Sequence, residues 1–216
     1  SRILIPQRIA IELVDRGYLL RNKIIWHKPS CMPLSVTDRY TTDYEPIFFF
    51  TKNKKYWFDQ EAVKEPTKQS KKRNKRAVWS INTGNCKKAH FAVYPEKLVK
   101  PMILASCPPY ICKDCSYARV REIEVAEKIE SGPFGGTDMA ANVGGTYSGN
   151  TSYNTYKSVG WSDCEHENYD AGLVLDPFAG TGTTCKVAHD LGRYFIGFEI
   201  SDQYCEWFNE MEACEI

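Results

Sequence analysis

The chain has 216 residues, of which 43% are hydrophobic and 25% charged, with a formal net charge of +1. This length and composition are typical of one globular domain with room for a small insert, and they exclude a disordered chain. No apolar run of about 18 residues occurs, so we expect no membrane span, and the first residues do not resemble a signal peptide.

Apolar spacing predicts the first elements. Residues 3–16 have the pattern of an amphipathic helix that ends near Gly17. Residues 18–29 and 44–58 have strand composition, and RAVWSIN at 76–82 predicts a third, short strand. Residues 68–76 hold six basic residues in nine. That run is either a solvated loop or a strip that contacts phosphates.

The second half of the chain alternates apolar and polar segments. Residues 90–106 predict a turn and a helix. Residues 131–160 predict a mobile loop, because their Gly, Ser, Thr and Asn cannot bury a core. Residues 173–178 and 194–200 are apolar strands of a buried parallel sheet, joined by a helix that ends at Gly192. The order strand, turn, helix, strand predicts a nucleotide-binding unit.

The turn of this unit, AGTGTT, carries Gly180 and Gly182, which let the backbone approach a ligand closely. Glu199 follows Asp176 by 23 residues, near the offset at which an acid accepts hydrogen bonds from a ribose. A phosphate-binding P-loop is excluded because no Lys follows Gly182, and a dehydrogenase fingerprint would need Gly where Cys185 stands. A packing unit without ligand is the remaining alternative.

Three stretches carry a family resemblance. LDPFAGTGTT together with LGRYFIGFEIS resembles the S-adenosylmethionine motif of DNA N4-cytosine/N6-adenine methyltransferases, in the permuted group whose cofactor motif is C-terminal. Residues 17–59 are similar to that family's segment downstream of its catalytic loop, and HFAVYPEKLV to its first cofactor helix. The resemblance implies an α/β fold, a Rossmann-like S-adenosylmethionine-dependent methyltransferase core that is incomplete and carries a small Cys/His insert.

The resemblance also implies an activity and an organisation. The reaction would transfer a methyl group from S-adenosylmethionine to the exocyclic amine of adenine (N6) or cytosine (N4) in double-stranded DNA, in the cytoplasm of a bacterial or phage-type source, beside a restriction enzyme. Residues 1–106 would form the target-side half with the basic loop and first cofactor helix, residues 107–170 the insert, and residues 171–216 the cofactor unit. The implied cofactor residues are Trp79, Ile81, His90, Ala92, Pro95, Leu98, Asp176, Phe178, Gly180, Gly182, Thr183 and Glu199.

The catalytic tetrapeptide of the family has the form Asp/Asn/Ser-Pro-Pro-aromatic. SCPPY at 106–110 is close to it, but it follows the first cofactor helix, and a thiol is a poor acceptor for the target amine. We therefore assign no catalytic residue in this chain. We expect an N-terminally truncated enzyme that lacks two middle strands and does not methylate alone. A split enzyme, a non-catalytic cofactor- and DNA-binding remnant and a small-molecule methyltransferase are the alternatives.

Nine cysteines without a secretion signal favour thiol or metal chemistry over disulfides. Cys112-x-x-Cys115 and Cys164-x-His166 predict a tetrahedral zinc site, with Cys107 as a substitute ligand. Reduced thiols in a mobile insert are the alternative. The remaining cysteines are expected to be buried or incidental. On the DNA side, the resemblance implies phosphate contacts from Lys28, Arg39, Lys68, Lys71, Lys72, Arg73, Lys75 and Arg76.

Overall fold

The computed structural model describes residues 4–66, 72–84, 94–131 and 151–215. Within them, no helix is long and apolar enough to cross a membrane. The helices and strands are α1 Ile5–Asp15, β1 Leu19–His27, β2 Tyr44–Thr51, β3 Glu65–Pro66, β4 Lys72–Arg73, β5 Val78–Ser80, α2 Glu96–Ser106, β6 Ile111–Cys112, β7 Arg121–Ser131, β8 Thr151–Trp161, β9 Tyr169–Asp170, β10 Leu173–Asp176, α3 Thr183–Asp190, β11 Tyr194–Gly197 and α4 Asp202–Glu215.

The chain divides into two compact units. One contains Ser1–Ala118 and His166–Ile216, and the other contains Arg119–Glu165. The segment expected to carry the target side and the segment expected to carry the cofactor motif therefore belong to the same unit. The second unit is shorter than the 107–170 insert expected from the sequence.

The first sheet of the larger unit has the order β2-β1-β5, with β1 antiparallel to β2 and parallel to β5. Trp26 in β1 pairs with Glu45 on one side and with Trp79 on the other. Trp26, Trp79 and Leu98 of α2 form a buried cluster, because alternate side chains of a strand reach the same face. The predicted helix at 3–16 is confirmed as α1. The strands predicted within 18–29, 44–58 and 76–82 are confirmed as β1, β2 and β5.

The second sheet pairs β10 and β11 in parallel, with α3 between them in the chain. Val187 and Ala188 of α3 pack against Val99 and Ile103 of α2. This arrangement confirms the predicted strand-turn-helix-strand unit and an α/β, Rossmann-like core.

The strands of the second sheet are shorter and less buried than the sequence predicted. Buried strands over 173–178 and 194–200 were predicted, and this is wrong, because Leu173 and Leu175 of β10 are 56% and 58% exposed and Tyr194 of β11 is 56% exposed. The physical reason is that Leu173 and Leu175 share one face of β10, while Val174 on the other face packs against the cluster of α2 and α3. In the part of the chain that the structure describes, β10 has β11 on one edge and no strand on the other.

The smaller unit is a ribbon of two antiparallel strands, β7 and β8. It corrects the prediction of a mobile loop over 131–160, since 151–161 is a strand; residues 132–150 lie outside the described part. Cross-strand pairs explain the difference. Val125 lies opposite Tyr156, and the Arg121 guanidinium lies 4.3 Å from the centre of the Trp161 ring.

Candidate cofactor and metal sites

Two glycines in the turn between β10 and α3 have a left-handed backbone conformation. Gly182 has φ of 82° and precedes the first residue of α3, and a Cβ there would lie 2.1 Å from the Phe208 ring. Gly180 also has a positive φ, 57°, but its Cβ position is open. The turn therefore brings bare backbone and the N-terminus of α3 to the carboxyl end of β10, the edge at which α/β sheets bind ligands.

Glu199 is fixed against this turn. Its Oε2 accepts a hydrogen bond from the Gly180 N–H at 2.7 Å, and its Oε1 accepts from the N–H groups of Ile200 and Ser201, both at 2.9 Å. The acid lies two residues beyond the end of β11, which is shorter than the 194–200 strand expected from the sequence. The turn and the acid that were predicted together are thus in direct contact.

Asp176 ends β10 and is held by two donors. Its Oδ1 accepts from the Phe178 N–H at 3.0 Å, and its Oδ2 accepts from the Tyr94 hydroxyl at 2.9 Å. The Tyr94 oxygen is also 2.7 Å from Thr184 Oγ1. Burial raises the pKa of Tyr94 to about 12, so its hydroxyl remains protonated and can donate at neutral pH.

Tyr94 is the site residue that the sequence did not identify. It lies just before the first turn of α2 and packs against both apolar clusters of the larger unit. The available signal was a hydroxyl-bearing aromatic residue immediately before a proline that begins a helix. That signal is weak, because nothing in the sequence shows that residue 94 meets residue 176.

Two large apolar side chains close in sequence to the acids are exposed. Phe178, two residues after β10, is 85% exposed, and Ile200, three residues after β11, is 99% exposed. Exposed aromatic and branched side chains at a sheet's carboxyl edge favour a flat, partly apolar ligand there. The predicted residue Phe178 is therefore accessible to such a ligand.

The other predicted cofactor residues have different environments. Trp79 and Leu98 are buried in the core, with Ile81 packed against them, and Pro95 precedes the first residue of α2. Leu98, Asp176, Tyr94 and Thr184 also line a cavity of about 510 Å³ between the two sheets. Thr183 is the first residue of α3. His90 and Ala92 lie outside the described residues.

The segment SCPPY begins at Ser106, the last residue of α2, and continues beyond the helix. Cys107 follows the last residue of the helix, is buried, and accepts a hydrogen bond on its carbonyl oxygen from Arg193 Nε at 3.3 Å. Burial raises the pKa of the Cys107 thiol. A Cβ on Gly172 would lie 2.6 Å from its sulfur. These contacts give the segment a packing role at the helix end.

A second site joins four residues that the sequence singled out. One ligand atom from each of Cys112, Cys115, Cys164 and His166 lies within 4.8 Å of all the others. Tetrahedral zinc with bonds of about 2.3 Å to sulfur would place its ligand atoms about 3.8 Å apart, so small side-chain movements would close the site. Three sulfurs and one imidazole are a donor set that suits Zn²⁺.

Backbone hydrogen bonds and left-handed residues form tight turns around these ligands. The Ser116 N–H donates to the Cys112 carbonyl at 2.9 Å, and the Cys112 N–H donates to the Tyr117 carbonyl at 2.9 Å. Ser116 and Glu165 both have positive φ, 60° and 64°. These tight turns keep the two residues of each pair close together.

A sequence-family profile of DNA methylases, N6_N4_Mtase, matches residues 3–116 and 165–210. The chain belongs to this family. The methylase match omits residues 117–164, which correspond closely to the smaller unit.

Two relatives are named type II methyltransferases. The chain is 47% identical over 202 residues to M.Cfr9I of Citrobacter freundii, an alignment that covers 94% of this chain and 47% of that protein. It is 31% identical over 208 residues to M.SmaI of Serratia marcescens, covering 95% of this chain and 50% of that protein. The methylase chain thus spans about half the length of these relatives.

Solved structures share the fold. PvuII DNA methyltransferase (cytosine-N4-specific) superposes with a TM-score of 0.58 at 17% identity, covering 97% of this chain and 57% of that one. The M1.HpyAVI–SAM complex gives a TM-score of 0.53 at 19% identity, covering 97% and 70%. At these identities the likeness concerns the fold alone, and it agrees with the Rossmann-like core of the methylase chain.

Four of the six predicted DNA-contacting cations that the structure describes have acidic neighbours. Lys28 pairs with Glu45 and lies 4.5 Å from the centre of the Trp26 ring. Arg39 pairs with Asp38 at 2.9 Å. Glu65 pairs with Arg73 at 2.9 Å and with Lys75 at 4.0 Å. Lys72 and Arg76 are exposed, and Lys68 and Lys71 lie outside the described residues.

Proposed function

We propose that this methylase chain binds S-adenosylmethionine at the carboxyl ends of β10 and β11, for methyl transfer to the exocyclic amine of adenine or cytosine in double-stranded DNA. The observation that carries the proposal is the contact of Glu199 with the Gly180 N–H, beside Asp176 and the exposed Phe178. S-adenosylmethionine supplies an electrophilic methyl group on a sulfonium.

Each protein group has a part in holding that ligand. Glu199 uses three of roughly four acceptor directions on backbone N–H groups, and it would accept a ribose hydroxyl on the remaining one or in place of Gly180. Phe178 offers an aromatic surface to the adenine. Gly180 admits the methionine part, because the space that a Cβ would fill there is open. Asp176 adds negative charge, which favours the sulfonium.

Calorimetric titration with S-adenosylmethionine tests the proposal. Glu199→Gln keeps the shape and one acceptor oxygen but removes the charge, so we expect affinity to fall at least tenfold. Glu206→Gln, an exposed change of the same type on α4, is the matched control and should leave affinity unchanged. Equal affinities in all three chains would contradict the role of Glu199. Absence of binding by folded chain of each kind would remove the cofactor site.

We further propose that this chain alone does not methylate DNA. No Asp/Asn/Ser-Pro-Pro-aromatic string occurs in its 216 residues. Strand β10, which has no strand on one edge among the described residues, borders the 510 Å³ cavity with Leu173 and Leu175. Glu45 and Ile47 of β2 also border that cavity. That gap would receive the strands that bear the catalytic tetrapeptide, on the same polypeptide or on a second chain.

A non-catalytic remnant or subunit is the second candidate. It would retain cofactor affinity but give no methyl transfer even when the other half of a relative is supplied. The absent tetrapeptide favours it, and the contacts of Glu199 with Gly180 and of Asp176 with Tyr94 favour the enzyme. For the enzyme we also propose a bacterial or phage-type cytoplasm and a partner restriction enzyme. The support is that the relatives M.SmaI and M.Cfr9I are named type II methyltransferases and come from bacteria.

We also propose that Cys112, Cys115, Cys164 and His166 bind one Zn²⁺. The support is the mutual proximity of their ligand atoms and the two tight turns that carry them. Chain purified without chelator should contain about one zinc per molecule by elemental analysis. Cys164→Ser should lose it, and Cys31→Ser, which changes a cysteine outside the cluster, should keep it. Zinc contents that do not differ between the two variants would contradict this ligand set.

A further inference from the structure

The four ligand residues stand at the two ends of an insertion. The DNA methylase profile matches residues 3–116 and resumes at 165, so residues 117–164 are additional to the family's chain. Cys112 and Cys115 come just before the inserted segment, and Cys164 and His166 come at its end. Forty-eight residues, 116–163, separate the two pairs. The ligands therefore lie beside the two boundaries between the family match and the inserted segment.

A very short pair of strands lies beside the ligands. Ile111 and Cys112 of β6 pair antiparallel with Asp170 and Tyr169 of β9, and the Lys113 N–H donates to the Asn168 carbonyl at 3.0 Å. Two residues per strand are too few to hold a ribbon together by themselves. The pairing of Arg121 with Trp161 already brings the two ends of the inserted segment together, so β6 and β9 lack contact area rather than loop closure.

The β6–β9 pair is hydrogen-bonded to the start of the cofactor sheet, which is the pair β10–β11. After β9, the Gly172 N–H donates to the Pro108 carbonyl at 2.9 Å, and the Tyr194 N–H donates to the Gly172 carbonyl at 3.0 Å. The Tyr194 hydroxyl donates to Asp170 Oδ1 at 2.6 Å, and Lys113 Nζ lies 3.2 Å from Asp170 Oδ2. The first residue of β11 and the residue before β10 are thus both tied to β9 and its neighbours.

We infer that the zinc is a structural clamp for the cofactor sheet: it fastens β6 to β9 and so fixes where β10 begins and where β11 starts beside it. The inference rests on the zinc site proposed above. Metal bound by ligands on both chain segments stabilises their pairing, because binding free energy becomes folding free energy. The glycine at 172 adds a geometric demand, since a Cβ there would meet both Cys107 and Pro108. The backbone just before β10 therefore packs too closely against Cys107 and Pro108 to shift without a steric clash.

Hydrogen exchange of the full chain tests the clamp. The four reporting amides are those of Cys112, Lys113, Gly172 and Tyr194, and the two control amides are Ile25 and Ile81, which are bonded in the first sheet. We expect removal of zinc by a chelator to speed exchange at the four reporters at least tenfold and to leave the two controls unchanged. Re-addition of Zn²⁺ should restore protection, and Mg²⁺ should not, because it prefers oxygen ligands. Cys164→Ser should behave as zinc-free chain, and Cys31→Ser as wild type.

The outcomes separate the two proposals. If the chain binds one zinc and its removal leaves the reporters protected, the clamp is wrong and the zinc site stands. If no zinc binds to folded chain, both are wrong. If Cys164→Ser does not fold, the chelation of wild-type chain still decides, because it needs no substitution. A loss of protection that includes Ile25 and Ile81 equally would mean global unfolding and would contradict a local clamp.

Discussion

At the scale of single residues, the most constrained position is Gly182. An alanine there would combine a left-handed backbone, φ 82°, with a Cβ 2.1 Å from the Phe208 ring. We expect Gly182→Ala to lower the free energy of unfolding by about 2–4 kcal/mol, from backbone strain and overpacking together. Gly180→Ala, with φ 57° and open space for a Cβ, should cost only about 1 kcal/mol. Urea denaturation of both variants measures the difference, and equal costs would contradict the steric argument.

Tyr94 gives a second residue-scale prediction, which concerns pH. Burial raises its pKa in the folded chain from 10.0 to about 12. The neutral phenol is therefore favoured by folding, and this contribution is full below pH 10 and lost as pH rises through about 12. The free energy of unfolding should fall more steeply over pH 10–12 in wild type than in Tyr94→Phe. Urea midpoints at several alkaline pH values measure this. Parallel pH profiles would show that Tyr94 is not held neutral.

Below pH 10, Tyr94→Phe should instead cost stability. It removes the hydroxyl that contacts Asp176 and Thr184, at about 1 kcal/mol for a lost hydrogen bond. The sign of the difference between the two chains thus depends on pH. An offset that is constant across the range would indicate only a packing change.

At the scale of elements, the sequence predicted what local patterns determine. The 28 residues 173–200 contain both apolar strands, the two glycines of the turn and the acids Asp176 and Glu199. Periodicity and turn chemistry are therefore sufficient to predict this unit. The predicted zinc ligands also came from local pairs. The two pairs are distant in sequence, and the structure brings their ligand atoms together.

Elements that depend on distant partners were missed. Strand β8 has a loop-like composition, and it becomes a strand because β7, about 30 residues earlier, pairs along its length. The tie between Tyr94 and Asp176 spans 82 positions. The exposed face of β10 depends on which distant elements pack on the sheet. None of these is encoded in a short window, because each is a long-range packing outcome.

The β3–β4 hairpin carries the element-scale prediction. Glu65 holds Arg73, while Lys72 is exposed, so the two cations should contribute unequally to DNA phosphates. Lys72→Gln should reduce the slope of log affinity against log salt by about 0.9, the value for one phosphate contact. Arg73→Gln should reduce it less. Fluorescence anisotropy with a DNA duplex at several salt concentrations measures both slopes.

Glu65→Gln tests the same hairpin in the opposite direction. It releases Arg73 and Lys75 from their acid, so the slope should become steeper than in wild type. Neutralising Lys71, Lys72 and Arg73 together should flatten it most. Slopes that stay the same in all of these variants would remove the hairpin from the DNA interface.

At the scale of the whole molecule, the three-stranded sheet and the β10–β11 sheet of the larger unit share no strand pairing in the part of the chain that the structure describes. β2 is one edge strand of the first sheet, and β10 is one edge strand of the second. Helix α1 likewise has exposed apolar side chains, including Ile5, Ile9 and Ile11. Unpaired strand edges and bare apolar surface are unfavourable in water. A docked segment that covers them would stabilise the chain and supply the tetrapeptide together.

Complementation is the prediction that follows. The half of the 47% identical Citrobacter freundii relative that this chain does not match should be co-expressed with it as a separate polypeptide. We expect the two to copurify, and transfer of labelled methyl from S-adenosylmethionine to duplex DNA to require both. Replacing the first residue of the tetrapeptide in the supplied half by alanine should abolish transfer and leave copurification intact, because that side chain acts on the base and not on the sheet.

The control for that experiment lies in this chain. Glu199→Gln should copurify with the supplied half as wild type does but transfer methyl only at high cofactor concentration, because it weakens the cofactor site and not the sheet edges. A complex that binds S-adenosylmethionine but never methylates DNA would establish the non-catalytic subunit instead. Failure to copurify would show that the edges of β10 and β2 are not covered by that half. Each outcome therefore bears on one surface of the molecule: the cofactor edge, the gap between the sheets, or the catalytic loop that would fill it.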